Sequence, residues 1–393
     1  MATIRSRSRI PPLVWRLGWV SLCTDAATEL LYPLIPIFLT VTLGAPVIAL
    51  GLIEGMADGV ATGLKAWAGI VADRVGEHRK MVRAGYALSA ASKPLLGLAP
   101  NWPVFAVFRV SDRAGKAVRG VPRDLMVAEA VPPEDRGRAF GFHRAMDTSG
   151  AVIGPLVGLV ALAILGEDHL RPVFLIALVP GLASLALLRS LPKTVRPSGK
   201  QWEPGTLPWR GAFGGFMAVT ILFSIGNSSD AFLLLRAHDL GLSTFSVVLA
   251  YALYNVVYAA LSLPAGIHSD RVGPVRVFTG GLIVFAGVYA GFAFITSSAG
   301  VWPLLAVYGA YMALTDGIVR ALVVNLVPDN VRGKALGVHQ AATGASVLIA
   351  GVTAGVLWDK VSHRAPFLVG AGLALFAALL LPLVTRGDTV AST

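Results

Sequence analysis

Charged residues are scarce in this sequence. Asp, Glu, Lys and Arg make up 14% of its 393 residues, whereas a typical soluble domain carries roughly a quarter. Hydrophobic residues reach 55%, and the mean hydropathy is +0.69. Apolar runs of about 20 residues recur along the chain, and each is long enough to cross a hydrocarbon core as a helix. The composition therefore predicts a polytopic, all-α membrane protein.

Several chemical signatures are absent as well. The single cysteine, Cys23, excludes a disulfide framework. No Gly-x-x-x-x-Gly-Lys-Ser/Thr loop is present, which argues against ATP as the energy source. His and Cys never occur at metal-ligand spacing, and no nucleophile lies beside a base in a catalytic pattern. We therefore expect neither an enzyme nor a protein with a cofactor or a resident metal.

The hydropathy pattern predicts twelve spanning helices. They cover residues 13–42, 46–72, 80–99, 103–130, 138–165, 171–190, 210–237, 244–269, 275–297, 301–327, 335–358 and 365–385. Arg and Lys concentrate in the connections that follow the even-numbered spans, so the positive-inside rule places both termini in the cytoplasm. The net charge of +11 then reflects orientation in a bacterial inner membrane rather than nucleic-acid binding.

The two halves of the chain repeat each other. The string GIVADRVGEHR (69–79) matches GIHSDRVGPVR (266–276), and RGRAFGFHRA (136–145) matches RGKALGVHQA (332–341). The offsets are nearly equal, which indicates a duplicated six-helix unit of the kind found in transporters. We predict an N-terminal bundle at 1–190, a Pro-rich cytoplasmic linker at 191–209 and a C-terminal bundle at 210–393.

The duplicated loop resembles the signature between the second and third helices of the major facilitator superfamily. Its residues here are Gly69, Asp73, Arg74, Gly76 and Arg79, with a second copy at Gly266, Asp270, Arg271, Gly273 and Arg276. The string GAVIGPLVG (150–158) resembles the fifth-helix motif found mainly in antiporters of that family, through Gly150, Gly154, Pro155 and Gly158. Arg109 with Gly115 matches the fourth-helix motif in part, because Asp112–Arg113 replaces its usual Gln.

The resemblance covers nearly the full chain. It implies two six-helix bundles related by a pseudo-two-fold axis, which give alternating access to a central cavity. It does not identify the substrate. In the loop signature, Asp73 can accept hydrogen bonds from a neighbouring helix N-terminus. Arg74 and Arg79 can pair with acids of the other bundle, or they can simply anchor the loop on the cytoplasmic side.

The predicted membrane helices contain many charges, which are costly in lipid and so face protein or water. At 100° per residue, seven charges of the fourth helix fall within an arc of about 140°: Arg109, Asp112, Arg113, Lys116, Arg119, Arg123 and Asp124. Helix 1 adds Asp25 and Glu29, helix 2 adds Glu54, Asp58 and Lys65, helix 3 adds Lys93, and helix 5 adds Arg144 and Asp147.

The second half is nearly neutral at the matching positions. The 197-residue offset places Tyr251, Asn255 and Ser262 where helix 2 carries its charges. Asp316 and Arg320, one turn apart in helix 10, are predicted to form a local ion pair.

Two interpretations of these charges remain open. Acids and bases are nearly balanced in the first half, which favours a self-neutralising ion-pair lattice. Alternatively, Asp25, Glu29 and Asp58 exchange protons, and Arg113 and Lys116 pair with them or hold an anionic substrate. The predicted coupling and cavity set is Asp25, Glu29, Glu54, Asp58, Arg113, Lys116, Asp147, Asp316 and Arg320.

We expect a monomeric transporter in the lipid bilayer that exports a small molecule in exchange for protons. Uptake of a charged solute, such as an organic anion, a metal ion or a chelate, is the alternative, and sodium could replace the proton. A non-transporting membrane sensor is disfavoured, because almost no chain lies outside the membrane to form a signalling domain.

Overall fold

The computed structural model describes residues 10–75, 78–132, 136–189, 206–328 and 331–385. All regular structure in these ranges is helical and forms the twelve predicted segments. We number them α1 (Pro12–Leu31), α2 (Val47–Val75), α3 (His78–Leu98), α4 (Trp102–Glu129), α5 (Arg136–Leu165), α6 (Leu170–Ile176 and Leu178–Leu188), α7 (Ala212–Gly226 and Asp230–Asp239), α8 (Thr244–Val272), α9 (Pro274–Phe294), α10 (Val301–Asn325), α11 (Arg332–Lys360) and α12 (Ala365–Val384).

Three segments are interrupted, each for a local reason. Segment α1 continues through short turns over Tyr32–Leu34, Ile35–Ile37 and Phe38–Thr42, because the prolines at 33 and 36 lack the N–H that a regular helix needs. Segment α6 breaks at Ala177, because Pro180 has no N–H group to donate to the carbonyl of Ile176 four residues earlier. Segment α7 restarts at Asp230, with the Ser229 side chain capping the new turn.

Ten of the described segments are long and apolar enough to cross a membrane. The two exceptions, α3 and α4, are long enough at 21 and 28 residues but carry too much charge. They pack against each other, and α4 also packs against α2. A Cβ atom on Gly115 would lie 2.6 Å from the Gly85 carbonyl oxygen, so glycine brings the α3 and α4 backbones close together. Protein neighbours thus cover much of the charge that lipid would disfavour.

The largest contacts between the halves of the chain are made by two helix pairs: α2 packs along α11, and α5 packs against α8. The end of the bundle where α2 and α8 begin is called the outer end here, and the end where α4 and α10 finish is the inner end. Towards the outer end, a Cβ on Gly351 would lie 2.5 Å from the Gly51 carbonyl oxygen. The backbones of α2 and α11 are therefore in direct contact.

Two carboxylates cap helices across this outer end. Asp359 of α11 accepts hydrogen bonds from the backbone N–H groups of Val47 (3.3 Å) and Ile48 (2.8 Å). Glu167, which follows α5, accepts one from the N–H of Phe245 at the start of α8 (3.1 Å). Ile48 and Phe245 are related by the 197-residue offset, so the two caps are symmetric. Each satisfies an N–H at a helix start and places negative charge at its positive dipole end.

Candidate functional site

The charged helix α4 forms buried ion pairs with α2 and α3. Arg109 binds Glu54 through two hydrogen bonds of 2.8 and 2.9 Å, and both side chains are almost fully buried. Lys93 lies 2.7 Å from Asp112, which also accepts a hydrogen bond from Ser89. The predicted lattice therefore exists here. Such pairs are costly to break, because a lone buried charge would be left behind.

Arg113 extends this lattice toward the centre of the molecule. Its guanidinium lies 3.9 Å from Glu54 and 3.6 Å from Asp58. The Asp58 side chain is 38% exposed, unlike that of Glu54 at 1%. Of the predicted set, Glu54 is therefore enclosed by arginines, whereas Asp58 lies at the edge of the lattice.

A central cavity of about 580 Å³ lies on the inner side of this lattice. It is lined by α1, α2, α4 and α5 from the first half and by α8, α10 and α11 from the second half. Its charged lining consists of Asp25, Glu29, Lys65, Lys116, Arg119, Arg123, Asp124, Arg144, Asp147 and Arg320. The volume is in the range of pockets that hold small molecules.

Asp25 and Glu29 reach this cavity from α1. Glu29 accepts a hydrogen bond of 2.6 Å from the Tyr251 hydroxyl. Neither carboxylate forms an ion pair with any residue that the structure describes, in contrast to Glu54. The charges that act on Asp25 from neighbouring helices come from the bases at 116, 119 and 123 of α4 and from the acid at 147 of α5.

The glycines of α5 hold this helix against the acids of α1. A Cβ on Gly150 would lie 2.5 Å from the Leu22 carbonyl oxygen and 3.1 Å from the Asp25 Cβ. A Cβ on Gly154 would lie 2.9 Å from the Glu29 Cβ. Gly158 approaches α1 one turn further on, and Pro155 lies within the same stretch of α5. The motif found in the sequence therefore packs directly behind the two carboxylates.

Asp147 of α5 is held more firmly than the two acids of α1. Ser21 donates a hydrogen bond to it, and His143 Nδ1 lies 3.7 Å from its carboxylate. Arg123 reaches the same serine at 3.3 Å and pairs with Asp124 at 3.0 Å. These contacts connect α1, α4 and α5 at the inner part of the cavity wall.

Three bases of the cavity wall have no carboxylate partner among the described residues. They are Lys65 of α2 and Lys116 and Arg119 of α4. The Arg119 guanidinium stacks on the Tyr86 ring at 4.2 Å, yet its buried Nη1 makes no hydrogen bond within the described chain. Over its whole lining the cavity has six bases and four acids, so its net charge is positive.

A second cavity of about 540 Å³ continues from the first between α5, α8 and α10. Asp316 and Arg320 line it and lie 3.3 Å apart, which confirms the predicted local pair. Asp316 also lies 3.9 Å from Arg144 of α5 and accepts a hydrogen bond from Tyr258 at 2.8 Å. Charge–charge contacts between the two halves therefore exist within the cavity region.

Tyrosines that hydrogen-bond to partly buried carboxylates are the main feature of this region that the sequence analysis did not single out. Asp230 of α7 accepts hydrogen bonds from Tyr308 (2.6 Å) and Tyr254 (3.3 Å). Tyr251, Tyr254 and Tyr258 point from α8 toward carboxylates of both halves. Their spacing of three and four residues puts them on one helix face, and that signal was available in the sequence.

The predicted gate motif lies largely outside the described residues. This applies to the side chains of Asp73, Arg74 and Asp270, to the surroundings of Gly69 and to Gly76 as a whole. Arg271 is exposed in the last turn of α8, and Arg79 is partly buried near the start of α3. Among the described residues, no group of three or more His, Cys, Asp and Glu side chains is placed to hold a metal ion.

Comparison with protein families and relatives gives a consistent picture. The model of the Major Facilitator Superfamily matches residues 17–235 and again 212–392. An uncharacterised MFS-type transporter of Methanocaldococcus jannaschii is 32% identical over 376 residues, or 94% of this chain and 94% of that protein. The multidrug resistance protein MdtH of Cronobacter sakazakii is 33% identical over 127 residues, or 32% of this chain and 31% of that protein.

Solved structures share the architecture at low sequence identity. The nucleoside transporter NupG matches with a TM-score of 0.75 and 14% identity, over 96% of this chain and 100% of that chain. A D-xylose-proton symporter matches with a TM-score of 0.74 and 18% identity, over 96% and 98%. At these identities the likeness concerns the fold alone.

Proposed function

Because the chain belongs to the major facilitator superfamily, and is thus a membrane transporter rather than an enzyme, we propose that it uses the proton gradient. In this proposal, a small solute enters the central cavity, and two six-helix bundles expose that cavity to each side of the membrane in turn. The bundles correspond to residues 1–190 and 210–393, joined by the linker at 191–209. Their repeated strings and the α2–α11 and α5–α8 contacts support this division.

The observation that carries the proposal is the pair of carboxylates at 25 and 29. Both line the cavity, and neither has an ion-pair partner in the described chain. A carboxylate in an ion pair, such as Glu54 with Arg109, cannot be protonated without losing that attraction. Asp25 and Glu29 can gain and lose a proton at lower cost, and an ionisable residue within a membrane is a functional-site candidate.

The orientation of the cycle follows from the charge of the connections. The positive-inside rule assigns the inner end and both termini to the cytoplasm of a bacterial cell. The observed state is then inward-facing, with its outer end closed by the α2–α11 contact and by the two carboxylate caps. In the opposite state we expect the duplicated loop signature, with Arg74 and Asp73, to close the inner end.

Two directions of coupling fit this cycle. Export by proton antiport is supported by the glycine motif of α5, which resembles an antiporter motif and packs against the two acids. The partial similarity to a multidrug resistance protein points the same way. Uptake of a charged solute with protons is supported by the unpaired bases at 65, 116 and 119, which give the cavity an excess of positive charge.

Transport into proteoliposomes under an imposed pH gradient tests the proposal. Radiolabelled succinate and tetraphenylphosphonium serve as the anionic and cationic solutes, and an internal pH-sensitive dye reports which way protons move. We expect flux to follow the gradient and to lose that dependence in Asp25→Asn and Glu29→Gln. Asp124→Asn is the matched control, since this acid is paired with Arg123. Flux that ignores the gradient in the unmodified protein would exclude proton coupling.

A further inference from the structure

We infer that the central cavity binds a small organic anion between α2 and α4, held by Lys65, Lys116 and Arg119. This inference rests on the proposed transport function for its physiological meaning, but the anion site itself does not depend on proton coupling. It names a substrate class, which neither the family nor its relatives identify.

The distribution of partners in the cavity wall carries the inference. Six bases line the first cavity, and three of them have acidic partners: Arg123 pairs with Asp124, while Arg144 and Arg320 share Asp316. The other three bases form no ion pair with a described residue. Lys65 and Lys116 are exposed, and the charge of Lys116 also acts on Asp25 and Glu29. The lining as a whole nevertheless has six bases against four acids, so a negative charge from outside the chain would balance it.

Arg119 adds a buried positive charge to this wall. Its residue is 3% exposed, and its Nη1 atom has no hydrogen-bond acceptor in the described part of the structure. A guanidinium normally satisfies its donors when buried, and an unfilled donor position costs free energy. Because Nη1 is closed off from open space in this structure, Arg119 contributes its positive charge to the anion site rather than a hydrogen bond.

The geometry leaves room for such a group. Lys116 and Arg119 are three residues apart on α4, so they project from the same face. Gly120 lies one turn beyond Lys116 and lines the same cavity, and a Cβ atom added there would meet no atom within 4 Å. Lys65 approaches from α2, close enough for its charge to interact with that of Lys116. Two lysines from two helices therefore border an open space, with the charge of Arg119 behind them.

A cysteine in that space tests the inference without knowledge of the natural substrate. In a Cys23→Ser background of the full chain in nanodiscs, Gly120→Cys is modified with an anionic, a cationic and a neutral methanethiosulfonate reagent. Ala299→Cys, exposed in the connection before α10, corrects for intrinsic reactivity. We expect the anionic reagent to be favoured about tenfold over the cationic one, relative to the outer site, because a charged cleft concentrates opposite charge.

Removal of Lys65 and Lys116 tests whether these two side chains cause the preference for the anionic reagent. Lys65→Gln with Lys116→Gln leaves no described acid without its partner, so the fold is expected to persist, and elution as a monodisperse peak checks this. The anion preference should disappear in this variant and persist in Lys360→Gln, which changes an exposed lysine at the outer end. A preference for the cationic reagent, or an anion preference that survives loss of both lysines, would overturn the inference.

Protection by ligands completes the test. Succinate, inorganic phosphate and benzoate are each added while the neutral reagent modifies Gly120→Cys. We expect at least one of them to slow the reaction, and the protection to be lost without the lysines; the pattern distinguishes carboxylate from phosphate recognition. Protection by tetramethylammonium alone, or by none of the anions, would contradict an anion site. Loss of proton coupling in transport assays would leave this result unchanged, so the two proposals fail separately.

Discussion

At the scale of single residues, the buried acids of this protein fall into two groups. Glu54 and Asp112 are enclosed by arginine, lysine and serine donors, with donor–acceptor distances as short as 2.7 Å for the Lys93–Asp112 pair. Asp25 and Glu29 lie on the cavity, and the one side-chain hydrogen bond described for the two carboxylates runs from Tyr251 to Glu29. The first group is suited to holding α2, α3 and α4 together, and the second to exchanging protons.

The Glu54–Arg109 pair allows a direct stability prediction. Glu54→Gln leaves the buried Arg109 with only a 3.7 Å contact to Asp112, which Lys93 already neutralises, so we expect the free energy of unfolding to fall by about 3–5 kcal/mol. Adding Arg109→Gln should recover part of that loss, because no lone charge then remains. Thermal unfolding monitored by tryptophan fluorescence, analysed as a double-mutant cycle, measures both effects.

The control for this prediction is the exposed pair of α10. Arg320 is 60% exposed in its contact with Asp316, and such pairs contribute about 0–1 kcal/mol. Arg320→Gln should therefore leave the unfolding transition nearly unchanged. If Arg320→Gln lowered the free energy of unfolding as much as Glu54→Gln, burial would not determine the cost of breaking an ion pair.

At the scale of helices, the contact between α1 and α5 depends on small residues. Gly154→Ala would place a Cβ 2.6 Å from the Ala26 carbonyl oxygen and 2.9 Å from the Glu29 Cβ. We expect destabilisation of about 1–3 kcal/mol from overpacking, together with reduced proton-coupled flux, because the carboxylate must shift. Gly287→Ala on α9 is the matched control, since its added Cβ meets nothing within 4 Å. A Gly154→Ala protein with normal stability and flux would contradict the close packing.

The two outer caps make a prediction about helix termini. Loss of a capping side chain costs about 1 kcal/mol, so Asp359→Ala and Glu167→Ala should each shift the population roughly fivefold toward an opened outer end. Spin labels at Pro100→Cys and Ala299→Cys, in the cysteine-free background, report the distance across that end. Asp168→Ala is the neighbouring control for Glu167. Unchanged distances in both cap variants would mean that the caps do not latch the outer end.

Sequence patterns predicted the helices better than their mutual contacts. The hydropathy pattern placed all twelve segments, although α3 and α4 carry much charge, and the helical period placed the charges of α4 on one face. The partner of Arg109 could not be predicted, because several acids on two helices were available to it. The outer caps were missed for a similar reason: Glu167 and Asp359 look like ordinary exposed acids until the fold brings them to the start of a helix of the other half.

At the scale of the whole molecule, charge is divided unequally between the halves. The first half supplies nearly all the charged groups of the cavity, and the second supplies tyrosine hydroxyls and the Asp316–Arg320 pair.

The interruptions of α6 and α7 were not predicted from the sequence, because a proline three residues beyond the break and a serine cap are weak local signals. Neither changes the position of the cavity.

An anionic substrate would determine the sense of coupling. Protonation of Asp25 and Glu29 removes negative charge from a cavity that already contains unpaired bases, so a proton and an anion favour each other's binding. The anion inference therefore predicts co-transport rather than exchange in the proteoliposome assay. Antiport would instead require the substrate to compete with protons for the same carboxylates. A cationic substrate can do this, whereas an anionic one cannot.

The central claim is that the carboxylates at 25 and 29 couple protonation to alternating access. It is tested most directly by the distance across the inner end as a function of pH. Pro132 and Pro328 are exposed, follow α4 and α10, and are related by the repeat, so spin labels there report inner-end opening. Charged carboxylates favour the water-filled, open cavity and neutral ones tolerate closure. We predict shorter distances in acidic buffer for the labelled protein and for Asp124→Asn, and no pH response in Asp25→Asn/Glu29→Gln. An identical pH response in that double variant would contradict the account.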